Sequence, residues 1–291
     1  MFIDIHVHTR KVPGLPRDGK PAYATPEQLI ERFDAVGIER AVLLPSVSPE
    51  CARAPQSLED ILGICRKHPD RFIPFCNVDP RMLSNSPDAP LNEIIDFYKN
   101  AGCKGVGEIT ANLPFDHPMV DNLFRHCQDL KMPVTFHMAS SIGGDYGLFD
   151  RPGLPLLERS LTRFPDLVFL GHSQAFWAEI GPLDDPQARR GYPEGPVVRP
   201  GRVVELMRRY PNLHGDLSAR SGFNAVSRDE QFGVAFLDEF QERLYFGTDI
   251  CAPDTPTWLT DYLPRLRSEG KLSDNVFDKV ARTNAMRLLG L

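Results

Sequence analysis

Eight short apolar runs alternate with helix-patterned stretches from one end of the chain to the other, and this alternation restricts the fold more than any other feature. The runs are FIDIHVH (2–8), RAVLLPSV (40–47), RFIPFCNV (71–78), CKGVGEIT (103–110), PVTFHM (133–138), LVFLGHS (167–173), NLHGDLS (212–218) and LYFGTDI (244–250). Most carry continuous Val, Ile, Leu and Phe rather than a clean in–out alternation, which is what a parallel strand needs when both faces of its sheet are covered. Between and after them, segments 25–37, 57–69, 90–102, 118–131, 153–165, 201–211, 229–241, 256–268 and 273–289 place apolar residues at helical spacing. The first of these has a recognisable start and stop, with Thr25 as cap, Pro26 in the first turn and Gly37 at the end. Eight strand–helix rounds in 291 residues predict a single-domain α/β fold, a (β/α)8 TIM barrel over residues 1–291. A doubly wound open sheet is the alternative, but no G-x-G-x-x-G follows the first run.

Two connections are too long for simple turns, near 9–25 and 174–200. Both follow the C-terminal ends of predicted strands, where a barrel of this kind builds its active site, so both read as pocket wall or lid. Composition narrows the partners. No apolar run approaches the roughly 20 residues that span a bilayer, and no basic-then-apolar leader opens the chain, so a cytoplasmic protein without a membrane segment is expected. A formal charge of −6 without a Lys/Arg block argues against nucleic acid and for a small-molecule substrate, with a homo-oligomer left open. The six cysteines include no CxxC pair, which indicates neither a disulfide framework nor a zinc ribbon.

Once the strands are placed, their polar residues gather at one end. His6 and His8 end the first run, Glu108 the fourth, His137 the fifth, His172 the sixth and Asp249 the eighth. Residues i and i+2 of a strand share a face, so the first run can offer two imidazoles side by side. A single strand histidine is usually a hydrogen-bonded core residue, but four of the chain's eight histidines coincide here with two carboxylates in apolar surroundings. Buried unpaired carboxylates cost several kcal/mol, and a cation would satisfy the whole group. Imidazole and carboxylate suit zinc, with manganese, iron or nickel as alternatives, as one or two ions. His68, His117, His126 and His214 lie away from strand ends and read as structural.

HxH after the first strand, histidines after the fifth and sixth, and Asp in YFGTDI resemble the amidohydrolase superfamily of metal-dependent barrel enzymes. PGLPLLERSLTRFPDLVFLGHSQAFW and RLYFGTDI look like its amidohydrolase-related branch, which includes aminocarboxymuconate-semialdehyde decarboxylase. The resemblance covers nearly the whole chain. It implies that His6, His8, His137 and Asp249 bind a divalent metal, usually zinc, and that Asp249 and His172 take part in proton transfer. At the fourth strand the superfamily carries a carboxylated lysine, a glutamate bridging two metals, or neither. Here the better candidate is Glu108, as in TatD-type deoxyribonucleases, against the alternative of a carboxylate that merely orients a ligand histidine.

The expected function is a metal-dependent hydrolase that activates water against a small, carboxylate-bearing substrate, with Asp249 accepting the proton and His172 binding a second ion or polarising the substrate. A nonoxidative decarboxylase using the same rim is the first alternative, and a catalytically idle metal- or ligand-binding barrel the second. Arg10 and Arg220 are candidate clamps for a substrate carboxylate, against the simpler reading of solvated loop cations. Ser140, Ser141, Ser218, Phe176 and Trp177 are expected to line the pocket. Cys251, near the rim, has no histidine free to serve as its base and is not expected to be a nucleophile.

Overall fold

The computed structural model describes residues 1–52, 54–183 and 185–291. Its strands are β1 (Phe2–Val7), β2 (Ile38–Leu43), β3 (Phe72–Pro74), β4 (Val106–Ile109), β5 (Val134–Ala139), β6 (Leu148–Phe149), β7 (Phe169–His172), β8 (Leu213–Asp216) and β9 (Leu244–Tyr245). All pairings are parallel, in the orders β1-β2-β3 and β4-β5-β7-β8-β9, with β6 added to the end of β5. Single bridges join the two ladders, Cys76 to Val106 on one side and Val7 to Ile250 on the other. At the second seam His8 N–H donates to Ile250 O (2.8 Å) and Asp249 N–H to His6 O (2.9 Å). The strands thus follow one another round a TIM barrel whose ladder is interrupted at two seams. The second seam lies beside the HxH pair.

Each of the eight predicted strands is present; seven are shortened by one to five residues, because the chain leaves the ladder as it turns into the rim, and β5 keeps its predicted length, shifted by one residue. The short β6 was not signalled by its sequence. The first helix, Pro26–Val36, is closed as expected: Thr25 Oγ1 accepts from Gln28 N–H, Gln28 Oε1 accepts from Thr25 N–H, and Gly37 (φ 77°) ends it with its N–H on Phe33 O. Three expectations need correction. Segment 174–200 is not simply a loop, since it contains helical turns at Gln174–Trp177, Ala178–Ile180 and Pro186–Arg190. Residues Ala219–Ser227 form a helix where none was expected, and 273–289 is divided by a π-helical stretch at Lys279–Thr283.

Ile3, Ile5, Val42, Leu44, Ile73, Phe75 and Leu170 pack together inside the strands, capped by Ala285 and Leu289 of the last helix. Most other buried side chains lie between strands and helices in one continuous cluster. The β1 register on β2 is irregular between Asp4 and Val7. Across that irregularity Ile5 stays with the inner cluster while Val7 joins the helix-facing one, and the two histidines are delivered to the rim.

Candidate metal centre

β1 and its continuation bring His6 Nε2 and His8 Nε2 to 3.1 Å from each other, both side chains almost fully buried. Each ring is held from behind through Nδ1, His6 by Asp216 Oδ2 (2.6 Å) and His8 by Leu44 O (2.8 Å). With Nδ1 donating, Nε2 turns its lone pair to the centre, the usual arrangement of a metal-binding histidine. Glu108 arrives from β4, next to Gly107, where a Cβ would come within 2.7 Å of Thr135 O, so only glycine lets the two strands approach there. Its Oε2 lies 3.6 Å from His6 Nε2 and 3.5 Å from His8 Nε2. Asp249, beyond β9 and in a left-handed conformation (φ 55°), places Oδ1 3.6 and 3.4 Å from the same two nitrogens.

These four atoms define five measured edges of 3.1–3.6 Å. A tetrahedral ion with ligand bonds of about 2.0–2.2 Å needs edges of about 3.3–3.6 Å. Electrostatics fit a cation as well. Burial opposes charge on His6, yet Asp216 and Asp249 hold its pKa up, to about 10. His8 is also raised, burial being outweighed by Cys251 and Asp249. Both rings therefore call for positive charge, but two Nε2–H groups cannot face each other across 3.1 Å. Protons cannot fully meet that demand, whereas one divalent ion between the four donors can.

Glu108 Oε1 turns the other way, 2.7 Å from His137 Nδ1 and 3.8 Å from His172 Nε2. The β5–β7 register sets His137 opposite His172, so their rings stand level, 5.4 Å between centroids. His172 Nδ1 contacts Ser218 Oγ at 3.0 Å, and burial together with His6 pushes its pKa down to about 4. Glu108, His137 and His172 thus form a second compact group sharing one carboxylate with the first. His6, His8, Glu108, His137, His172 and Asp249 are all brought together.

No hydrogen bond or ion pair joins Arg10 or Arg220 to them among the described residues. Arg10 donates to Ala54 O and lies over the Tyr23 ring at 4.7 Å, and Arg220 lies over Tyr192 at 4.3 Å. Phe176 and Trp177 are packed in the core and do not line the pocket: Phe176 fills the space that a side chain at Gly171 would take, and Trp177 Nε1 donates to Asp216 O. Ser140 and Ser141 do border a cavity of about 270 Å³ beside His137, with Tyr146, Gln174 and Arg190. Sequence reasoning missed Arg190, and it missed Asp216, the fully buried partner of His6. The signal for Asp216 was present, an acidic residue near the end of the apolar run NLHGDLS. The remaining histidines have structural places, such as His117 capping Pro118–Asp129 and His214 facing Tyr245 Oη at 2.8 Å.

A TIM barrel with a histidine–carboxylate cluster at the C-terminal ends of its strands defines the metal-dependent barrel enzymes. A family model described as amidohydrolase matches residues 3–291, and the chain belongs to that family. No curated protein matches the sequence. Among solved structures, an uncharacterized TIM-barrel protein of Bordetella bronchiseptica is similar at TM-score 0.67 and 16% identity, with 99% of this chain and 98% of that one covered. A 5-carboxyvanillate decarboxylase of Novosphingobium aromaticivorans, complexed with manganese and 4-hydroxy-3-methoxy-5-nitrobenzoic acid, is similar at TM-score 0.65 and 16% identity, covering 100% and 96%. A 2,6-dihydroxybenzoate decarboxylase from Rhizobium is similar at TM-score 0.61 and 17% identity, covering 99% and 98%.

Proposed function

We propose that this amidohydrolase-family enzyme catalyses the nonoxidative decarboxylation of a small carboxylated molecule, with a divalent ion held by His6, His8, Glu108 and Asp249. The position of Glu108 Oε2 carries this reading: it faces His6 Nε2 and His8 Nε2 at 3.6 and 3.5 Å, the two nitrogens that Asp249 Oδ1 also faces, at 3.6 and 3.4 Å. Two carboxylates then neutralise one ion. Such an ion is a weaker activator of water than one held by neutral imidazoles alone, but it still supplies the Lewis acidity that orients and polarises a substrate oxygen. The sequence alone favours hydrolysis because a strand-4 glutamate invites a second cation. With Glu108 Oε2 drawn into the first group, that argument loses weight.

Asp249 is the carboxyl placed to move a proton. Its side chain is a quarter exposed, and Oδ2 faces His172 Nε2 at 3.8 Å. On decarboxylation the carbon–carbon bond breaks, carbon dioxide leaves, and the electron pair left on carbon takes a solvent proton that Asp249, a carboxylate at rest, accepts and passes on, returning to its ionised form. The cavity beside His137 suits a small ligand, and at its mouth Arg190 has no hydrogen-bond or ion-pair partner among the described residues, which favours an anionic substrate. The decarboxylases among the similar structures support the same choice. Hydrolysis is the second reading, favoured by the Glu108–His137–His172 group as a place for another ion.

Metal-loaded protein should be screened against carboxylated phenols and against lactones and amides, in deuterated and in ¹⁸O-labelled water. Carbon dioxide release with deuterium on the carbon that bore the carboxylate is expected. Incorporation of ¹⁸O into a new carboxylate would show hydrolysis and displace the proposal.

A further inference from the structure

Cys251 stands two residues past Asp249, and its Sγ forms a compact triangle with a His8 nitrogen and an Asp249 oxygen, all three within 4.8 Å of one another. The thiol donates to Asp249 Oδ1 across 3.7 Å. That same Oδ1 is 3.4 Å from His8 Nε2, so the sulfur extends the donor cluster already described and does not start a new one. Sulfur at about 2.3 Å and oxygen at about 2.1 Å from one ion lie about 3.1–3.6 Å apart as neighbouring ligands, at angles from a right angle to the tetrahedral one. The Sγ–Oδ1 separation therefore matches an edge between two ligands of one ion as well as it matches a weak hydrogen bond. Cys51 is the only other partly exposed cysteine, and it belongs to no such donor group among the described residues. The remaining four cysteines are buried.

We propose that Cys251 binds the divalent ion of this centre as a thiolate, a fifth donor beside His6, His8, Glu108 and Asp249, and makes the site select a thiophilic ion, zinc or cobalt(II), over manganese. The inference rests on the reading of His8 and Asp249 as metal donors. On binding, the S–H bond breaks, the proton passes to solvent and a sulfur electron pair forms the bond to the ion, with no change of oxidation state. Thiolate favours zinc and cobalt, whereas carboxylate and water suit manganese, so one sulfur among nitrogen and oxygen donors shifts the preference without removing the site.

The test needs no substrate. Full-length protein stripped by chelator is titrated with cobalt(II). The expected result is a near-ultraviolet sulfur-to-cobalt charge-transfer band beside the visible ligand-field bands, with the near-ultraviolet band lost in Cys251→Ser and Cys251→Ala, the visible bands kept in both, and both features kept in Cys51→Ser. In competition titrations Cys251→Ser should lower the zinc-to-manganese affinity ratio about tenfold or more, through weaker zinc binding. Visible bands without the charge-transfer band in the wild type, or a band that survives in Cys251→Ser, would leave Cys251 a hydrogen-bond donor to Asp249 and overturn the proposal. No cobalt spectrum in any of the proteins would strike the metal centre itself, and the proposal with it.

Discussion

Asp216 bears on the centre without reaching it. Its Oδ2 accepts from His6 Nδ1 at 2.6 Å, its Oδ1 from Ser218 N–H at 2.9 Å, and its carbonyl from the Trp177 indole at 2.9 Å. The carboxylate is thereby fixed, and it fixes the tautomer and plane of the imidazole that meets the ion. Burial would raise the Asp216 pKa, but His6 and the hydrogen bonds keep it below the usual carboxylate range, so it stays charged where His6 needs it. Asp216→Asn keeps the shape and removes the charge. We expect metal affinity to fall about 10- to 100-fold with the far-ultraviolet circular dichroism unchanged. Competition against a chromophoric chelator measures it, and wild-type affinity in the variant would mean that Leu44 and the protein around His6 orient the histidines without Asp216.

At the scale of elements, the strands were legible because each is a continuous apolar run, and their polar ends marked most of the site. What stayed hidden arises between elements. Nothing local in FWAEIGPLDDPQARRGYPEGP says that Phe176 and Trp177 turn inward, because that is decided by the space left over Gly171 and Gly215. Asp216 reads as one more acid until Trp177 and His6 are seen against it. Arg10 and Arg220 look like free cations until aromatic rings are found beneath them. The same segment also carries a buried ion pair: Arg189 Nε lies 2.8 Å from Glu179 Oε1, Nη1 donates to Asp150 O at 2.8 Å and Nη2 reaches Met138 Sδ at 3.3 Å. Arg189 thus ties the pocket wall to β5, one residue past His137. Arg189→Met should destabilise the protein by about 3–5 kcal/mol, because Glu179 is left charged and buried without its partner. Adding Glu179→Gln should recover much of that loss. Urea unfolding of the two variants measures both, and equal stability of the single and double variants would show that the pair is not what holds the wall.

In the whole molecule the two ends of the barrel carry different burdens. The C-terminal end gathers charge for chemistry, while the N-terminal end is closed by the last helix and has only stability to supply. His214, near the start of β8, belongs to that second end: it is stacked on the Tyr245 ring at 5.7 Å and bonded to its hydroxyl. Burial, reinforced by the nearby Arg243, pushes its pKa down to about 3 from an ordinary 6.5. The unfolded chain therefore takes up a proton at His214 below pH 6.5 that the folded protein refuses, so folding stability is fully present above that pH and is lost as pH falls toward 3. His214→Gln removes this term while keeping a polar group against Tyr245. Between about pH 7 and pH 4.5 the wild type should lose on the order of 2 kcal/mol more than the variant. Denaturant unfolding of metal-free protein at the two pH values is the right comparison, since release of an ion in acid then makes no contribution. A gap between wild type and variant that does not change with pH would show that His214 takes its proton as readily in the folded protein as in the unfolded chain, and that acid sensitivity originates at the metal-binding end of the barrel.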